Sequence, residues 1–459
     1  MENRNKLLYI LLYSFVVVFV LIISKGLNTP QPGDENVYYY MGSLISEGKI
    51  PYKDFFFAHP PLQVYLIALA YKIFGFKVAI LKSLPLASTL ISSFLIYKIA
   101  KEKFGYAAAM ASFLLFIFSY SIMFNSVFSF GVEIAAMLLV AGTYFLWNKN
   151  NYFLSGIFFG FAGVTRLLSL VPIAVILAAV FLSNRKKFFK LLPGFLAIFL
   201  LVNGTFVLLF GQSYLTPVYT FHLMKSLGSS ENVKEYLDII KLNWVLFLSA
   251  SLFIFAKEKK PIGILVLISV IYLAFLMGLK KIFGFYFILV FPFLALIAGY
   301  SLIQVFQRLR LPKMWKVAIS TAFLLIFTLN LIPDILFLER FGFAGFERGR
   351  DLSDFINKVS SNDTLLFGDD SVVPLLALQT DKKIALNFVD TNDQVFASGV
   401  QNLDDTLTRL RGKNILFIIR NKQGISHFAS VRVFLSKNCE FLSQFHDEIE
   451  GDYLVYGCN

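Results

Sequence analysis

The sequence predicts a polytopic α-helical membrane protein of about eleven spans that carries a small C-terminal α/β domain outside the membrane. Three observations lead there. Of the 459 residues, 57% are hydrophobic and 15% charged, and the mean hydropathy of +0.69 lies outside the range of soluble globular chains. Apolar runs of roughly 15–22 residues recur as far as about residue 333, close to the ~20 that a span needs. From about residue 340 the runs stop and mixed polar sequence takes over.

In chain order, the run 7–24 follows Arg4 and Lys6 and has no small-residue cleavage site, since Lys25-Gly26-Leu27 comes next. It reads as an uncleaved first span. An amphipathic helix is expected over 35–47, and an interfacial helix over 60–75, which is too short to cross. Further spans are placed at 78–99, 105–124, 131–147, 152–165, 167–183, 189–210, 242–256, 261–279, 283–304 and 314–333. The connections Lys101-Glu102-Lys103, Asn148-Lys149-Asn150, Arg185-Lys186-Lys187, Lys257-Glu258-Lys259-Lys260 and Arg308-Leu309-Arg310 are short and mostly basic, which marks the cytoplasmic side. A cytoplasmic N-terminus then puts loop 25–77 and everything after residue 333 outside. Residues 152–184 are short for two full crossings, and two shortened helices meeting at Arg166 satisfy the length. A single crossing there would reverse the side of the C-terminal domain.

The last segment shows β-like runs at 364–367, 383–388, 414–419 and 453–456, interleaved with helical patterns at 350–359 and 404–411. The division expected is a transmembrane domain over 1–335 and a soluble α/β domain over 340–459. Within the latter, Gly368-Asp369-Asp370 reads as a strand-end turn rather than a metal site. Cys439 and Cys458 have no metal-type spacing. The net charge of +13 sits largely at the ends of apolar runs, so it encodes topology and excludes nucleic acid as a partner.

Chemistry concentrates in the first outer loop. Asp34 and Glu35 sit where the first span emerges, and either carboxylate suits a general base for an attacking hydroxyl or amine. The same acids would also suit the cap and first turn of the helix that follows. Cations on the outer side run against the positive-inside bias, and Lys49, Lys53, His59, His222, Lys225, Lys280 and Lys281 all fall there. Lys280 and Lys281 precede Phe283, Phe285 and Tyr286, aromatics suited to an interface beside a prenyl chain. Together they point to an anionic group such as a phosphate, against the plainer reading of lysines snorkelling to lipid headgroups. Glu133 and Arg166 are charges embedded in apolar sequence, which is costly unless they face a polar cavity. Glu133 also fits the N-terminus of its helix.

These residues resemble the GT-C glycosyltransferases that take sugars from polyprenyl-phosphate carriers, in the branch with protein O-mannosyltransferases and lipid A aminoarabinose transferases. The features shared are Gly33-Asp34-Glu35 with Tyr38 to Tyr40, then His59-Pro60-Pro61-Leu62, where many members have Lys or His before Pro-Pro-Leu. Gly156 and Gly160 before Thr165-Arg166, and Phe285-Tyr286-Phe287 with Pro292, resemble later family segments. The chain departs in the second outer loop, where the family usually offers Asp and this sequence has Asn125 and Glu133. The resemblance implies a hexosyl- or pentosyltransferase of the cell membrane, using a dolichyl or undecaprenyl phosphate sugar and a protein, lipid or glycan acceptor. Asp34 would activate the acceptor, with Glu35 or Glu133 as further acids. His59 would contact the carrier phosphate together with Lys53, Arg166, His222, Lys225, Lys280, Lys281 and Tyr286. Some members with Asp-x-Asp motifs use a divalent metal; the first outer loop has no such motif, so neither metal nor other cofactor is expected. A transporter or flippase of lipid-linked saccharides is the competing class, and no internal repeat supports it.

Overall fold

The computed structural model describes residues 2–225, 229–308, 312–346 and 348–459. Leu309 and Arg310 of the last basic connection lie outside them.

In chain order the helices begin with α1 (Glu2–Asn28), α2 (Asp34–Ser46), α3 (Leu62–Phe74), α4 (Val78–Phe104) and α5 (Tyr106–Ile117). There follow α6 (Tyr120–Asn125), α7 (Val132–Trp147), α8 (Tyr152–Gly163), α9 (Leu170–Ser183) and α10 (Arg185–Phe210). After the short turns α11 (Gln212–Leu215) and α12 (Phe221–Met224) come α13 (Ser229–Leu242), α14 (Trp244–Ser251), α15 (Gly263–Met277), α16 (Phe291–Arg308) and α17 (Lys313–Phe337). Among the described residues five helices are long and apolar enough to cross a membrane, or six if a bent pair counts as one span. The expected spans at 105–124, 131–147, 152–165 and 167–183 take the form of shorter apolar helices. The bent pair, α13 and α14, breaks by 81° at Asn243. Buried Asn243 pins that break: its amide donates to Ser121 Oγ at 2.8 Å, and its carbonyl accepts from Ser121 N at 3.1 Å.

The chain divides into two compact units. The first comprises residues 1–27, 82–204 and 228–342. Close helix approach sets its packing, with glycine supplying the space as small residues do in membrane bundles. A Cβ on Gly156 of α8 would lie 2.1 Å from Leu191 O of α10, and one on Gly194 would lie 2.2 Å from Phe153 O. Ser155 Oγ donates to Gly142 O at 2.7 Å, fastening α8 to α7. Helices α8 and α9 meet through a turn at Arg166, as the length of this stretch requires.

The second unit comprises residues 28–81, 205–227 and 343–459, so the first loop and the C-terminal domain share one body. Its later helices are α18 (Gly349–Val359), α19 (Val373–Thr380), α20 (Asp393–Ala397), α21 (Leu403–Leu410) and α22 (Ala429–Asn438). Strands β1 (Leu365–Gly368), β2 (Ile415–Arg420), β3 (Cys439–Asp447) and β4 (Gly451–Cys458) form a sheet of order β1-β2-β4-β3. β1 pairs parallel with β2, while β4 runs antiparallel to both β2 and β3. β2 is apolar and buried from Ile415 to Ile419 and ends in Arg420; Phe417 packs with Phe367 and Phe434, and Leu407, Ile425 and Val431 fill the same core. Cys439 and Cys458, opposite each other in the β3–β4 register, form a disulfide.

The run expected as a strand at 383–388 is a turn. Leu386 and Asn387 take φ of 59° and 52°, a left-handed conformation that no strand admits, and only Ile384 bridges to Leu366. The strand β3 departs from the sequence pattern: its largely exposed residues mix apolar and polar side chains without the strict alternation that signals a strand.

Candidate functional site

Asp34 opens α2, and the carboxylates of Asp34 and Glu35 fall in its first turn, where the helix dipole favours negative charge. The N-cap position is occupied by Gly33 at φ 148°, a backbone conformation that L side chains rarely adopt, so neither acid stands at the cap position itself. The two differ in environment. Asp34 is exposed, while Glu35 is 1% exposed and accepts from Tyr39 Oη at 3.0 Å one turn on. The entry to α2 is fixed from the C-terminal domain: Gly33 N donates to Ser371 O at 2.9 Å, and Asn36 Nδ2 donates to Gln31 O and Ser371 O at 2.7 and 3.2 Å.

Ser371 closes the Gly368-Asp369-Asp370 turn, which follows β1. Buried Asp369 is held by Arg420 at 3.0 Å and by Ser371, and Arg420 also reaches Glu450 at 3.0 Å. This is a structural ion-pair network at a strand end. Burial, then the neighbouring charges of Asp369, Asp390 and Asp34, hold the carboxyl of Asp370 well above the ordinary range. Asp390 is pushed up to about 6, by burial first and by Asp34 second, with Lys225 acting in the opposite sense. Asp34, Asp390 and Lys225 are therefore electrostatically coupled across three separate stretches of sequence.

Cations and aromatics complete this unit's cluster. The imidazoles of His59 and His222 stack with centroids 5.4 Å apart, and Tyr38 meets His59 edge-on at 6.0 Å. His222 Nε2 donates to Ala58 O at 2.7 Å, which fixes the orientation of the ring. Tyr52 Oη donates to His59 O at 2.6 Å. Lys225 Nζ lies 5.0 Å over Phe221, and Lys53 lines a cleft of about 500 Å³ with Asp390.

The remaining candidates belong to the other unit. Glu133 is 3% exposed in the first turn of α7, behind Gly131 in a left-handed turn at φ 80°. Arg166 is 4% exposed at the α8–α9 turn. Lys280 is exposed, and Lys281 Nζ stands 5.5 Å over Phe283. Tyr286 packs edge-on against Phe285 at 5.0 Å, and Phe285 stacks on Phe130 at 4.6 Å. Lys82, not singled out from the sequence, is fully buried: its ammonium donates to Gly26 O at 3.1 Å and lies 4.8 Å over Phe128. Its signal was there, a lone charge inside an apolar run. Asp390 was missed for the opposite reason, since one acid in a polar domain carries no pattern. Among the described residues no three His, Cys, Asp or Glu side chains are grouped to hold a metal ion.

Residues 58–208 match the family model described as dolichyl-phosphate-mannose-protein mannosyltransferase. No curated protein matches the sequence. Among solved structures, the chain is similar to ArnT from Cupriavidus metallidurans bound to undecaprenyl phosphate, with TM-score 0.66 and 14% identity over 97% of each chain. The apo form of that ArnT gives TM-score 0.67 at 15% identity, over 97% of this chain and 98% of that one. The archaeal oligosaccharyltransferase AglB from Archaeoglobus fulgidus, in complex with an inhibitory peptide and a dolichol-phosphate, gives 0.54 at 13% identity, over 96% of this chain and 74% of that one. A family match across the Pro-Pro-Leu and Thr-Arg segments and a shared fold along nearly the whole chain thus bear out the likeness to GT-C glycosyltransferases of the O-mannosyltransferase and ArnT branch.

Proposed function

We propose that this chain is a membrane glycosyltransferase that moves a sugar from a polyprenyl phosphate to an acceptor on the outer face of the membrane. The observation that carries the reading is an exposed Asp34 at a helix N-terminus, in one body with His59, His222 and Lys225, on a fold of which one similar structure holds undecaprenyl phosphate and another a dolichol-phosphate. Acceptor oxygen or nitrogen attacks the anomeric carbon as the bond from that carbon to the phosphate oxygen breaks. The proton passes to the Asp34 carboxylate, and the carrier departs as a phosphate anion whose charge the cations stabilise. One displacement inverts the anomeric centre and leaves no covalent enzyme intermediate. The step balances without metal or other cofactor.

Arg166, Lys280, Lys281 and Tyr286 are assigned to carrier-phosphate binding on the same reading, and Glu35 and Glu133 stay as further candidate acids. The Cys439–Cys458 disulfide supports an extracytoplasmic C-terminal domain, because such bonds persist in oxidising compartments. Purified protein incubated with a panel of radiolabelled polyprenyl-phosphate sugars tests the proposal. Release of free polyprenyl phosphate with inverted product is expected. Passage of intact donor across proteoliposomes, with no release, would instead make the chain a translocase.

A further inference from the structure

The cleft of about 500 Å³ is bounded by residues 52–56, 212–217, 386–390 and 400–409, stretches of one compact unit. Its size suits a small-molecule or short-oligomer ligand, for which sites run about 300–1,000 Å³. The lining sets hydrogen-bonding side chains, Lys53, Gln212, Gln401 and Arg409, among the aromatic faces of Phe56 and Phe388. Two lining residues tie the cleft to the chemistry described above. Asp390 feels the charge of Asp34, and Tyr52 donates to the carbonyl of His59 at 2.6 Å. Leu386 and Asn387, both left-handed, hold the 386–390 wall in a conformation that L residues rarely adopt.

We propose that this cleft binds a saccharide chain of the acceptor and leads its receiving hydroxyl to Asp34, with Asp390 as a positioning residue. The assignment rests on the glycosyl-transfer reading and names the acceptor class for that site. An acyl chain would require apolar walls. An extended peptide adds to a sheet edge or seats apolar anchors in pockets, and no strand of the sheet lines this cleft. A polyhydroxyl chain is matched by donors and acceptors spaced along an aromatic-faced groove. The C-terminal domain thereby supplies the acceptor's seat.

The test applies full-length protein in nanodiscs to a glycan array and to a peptide array. Two variants accompany it: Ser213→Trp, which fills the cleft from an exposed position, and Gln401→Ala, which removes a hydrogen-bonding group with little risk to folding. We expect the unsubstituted protein to retain a defined class of saccharides, Ser213→Trp to weaken that retention at least tenfold, and Gln401→Ala to weaken it severalfold. Capture of peptides instead, capture of no glycan, or equal capture by both variants overturns the proposal. For Asp390→Asn, a raised acceptor KM with little change in kcat marks positioning, and an unchanged KM removes the residue from that role. Binding of undecaprenyl phosphate to the unsubstituted protein is measured alongside. Carrier binding without glycan capture sinks the cleft and spares the donor reading; variant-sensitive glycan capture without carrier binding keeps the cleft and sinks the donor reading.

Discussion

The contrast between Asp34 and Glu35 shows what one position along a helix decides. Adjacent carboxylates share the first turn of α2, yet Glu35 turns inward to Tyr39 while Asp34 is exposed, which is why Asp34 is the acid proposed to meet the acceptor. Asp34→Asn should keep the fold and lower turnover by roughly two to four orders of magnitude, the span general-base catalysis contributes. Near-normal turnover would pass the role to Glu35 or Glu133. Asp390 makes a separate prediction about pH. Its carboxyl is raised from 3.8 to about 6, so the native state holds the proton more tightly than the unfolded chain. That contribution to stability is fully present below about pH 3.8 and is lost as pH rises through about 6. Asp390→Asn should therefore flatten the decline of the unfolding midpoint between pH 4 and 6; parallel curves for the two proteins would refute the assignment. At this scale the sequence revealed charges in unexpected company, such as Asp34, Arg166 and the outer lysines. It hid Lys82, absorbed into a span, and Asp390, whose meaning comes only from neighbours distant in sequence.

Helices were more legible than strands, and the physics differs between them. A membrane helix announces itself through an apolar run that needs no partner, whereas a strand's identity depends on what pairs with it. Hence α4 and α10 follow the expected spans, while 383–388 reads as a strand by composition and is turned aside by two left-handed residues. β3 shows the reverse case, a largely exposed strand whose partner supplies the order its own pattern lacks. The crossing of α8 and α10 is half legible in the sequence: Gly156 and Gly160 stand out as a motif, while the surface they meet does not. A side chain at Gly156 would meet the α10 backbone, so Gly156→Leu should cost at least about 1–3 kcal/mol in overpacking. Gly204→Ala in α10, where the added carbon meets nothing within 4 Å, is the matched control and should leave stability unchanged or slightly raised. Thermal unfolding in detergent distinguishes the two, and equal midpoints would show that the crossing is not close in the folded protein.

For the whole molecule, the discontinuous unit built from the first loop, residues 205–227 and the C-terminal segment is what the linear sequence conceals most fully. A reading by runs separates 25–77 from 340–459, because no local signal tells that Gly33 bonds to Ser371 or that Tyr40 Oη accepts from Ile384 N at 2.8 Å. Sidedness is open to direct test. The native cysteines are joined to each other, so a single Lys413→Cys at an exposed position is the reporter. An impermeant maleimide should label it on intact cells, and labelling only after permeabilisation would place the domain in the cytoplasm. The strand order carries a further consequence, for timing. β4 is the latest of the four strands in the chain, yet it lies between β2 and β3. During synthesis β3 therefore emerges with no neighbour to pair with, and Cys439 waits as a free thiol until Cys458 arrives. In that interval the nascent domain exposes unfinished sheet edges, so the sheet closes only once β4, the last strand, is available.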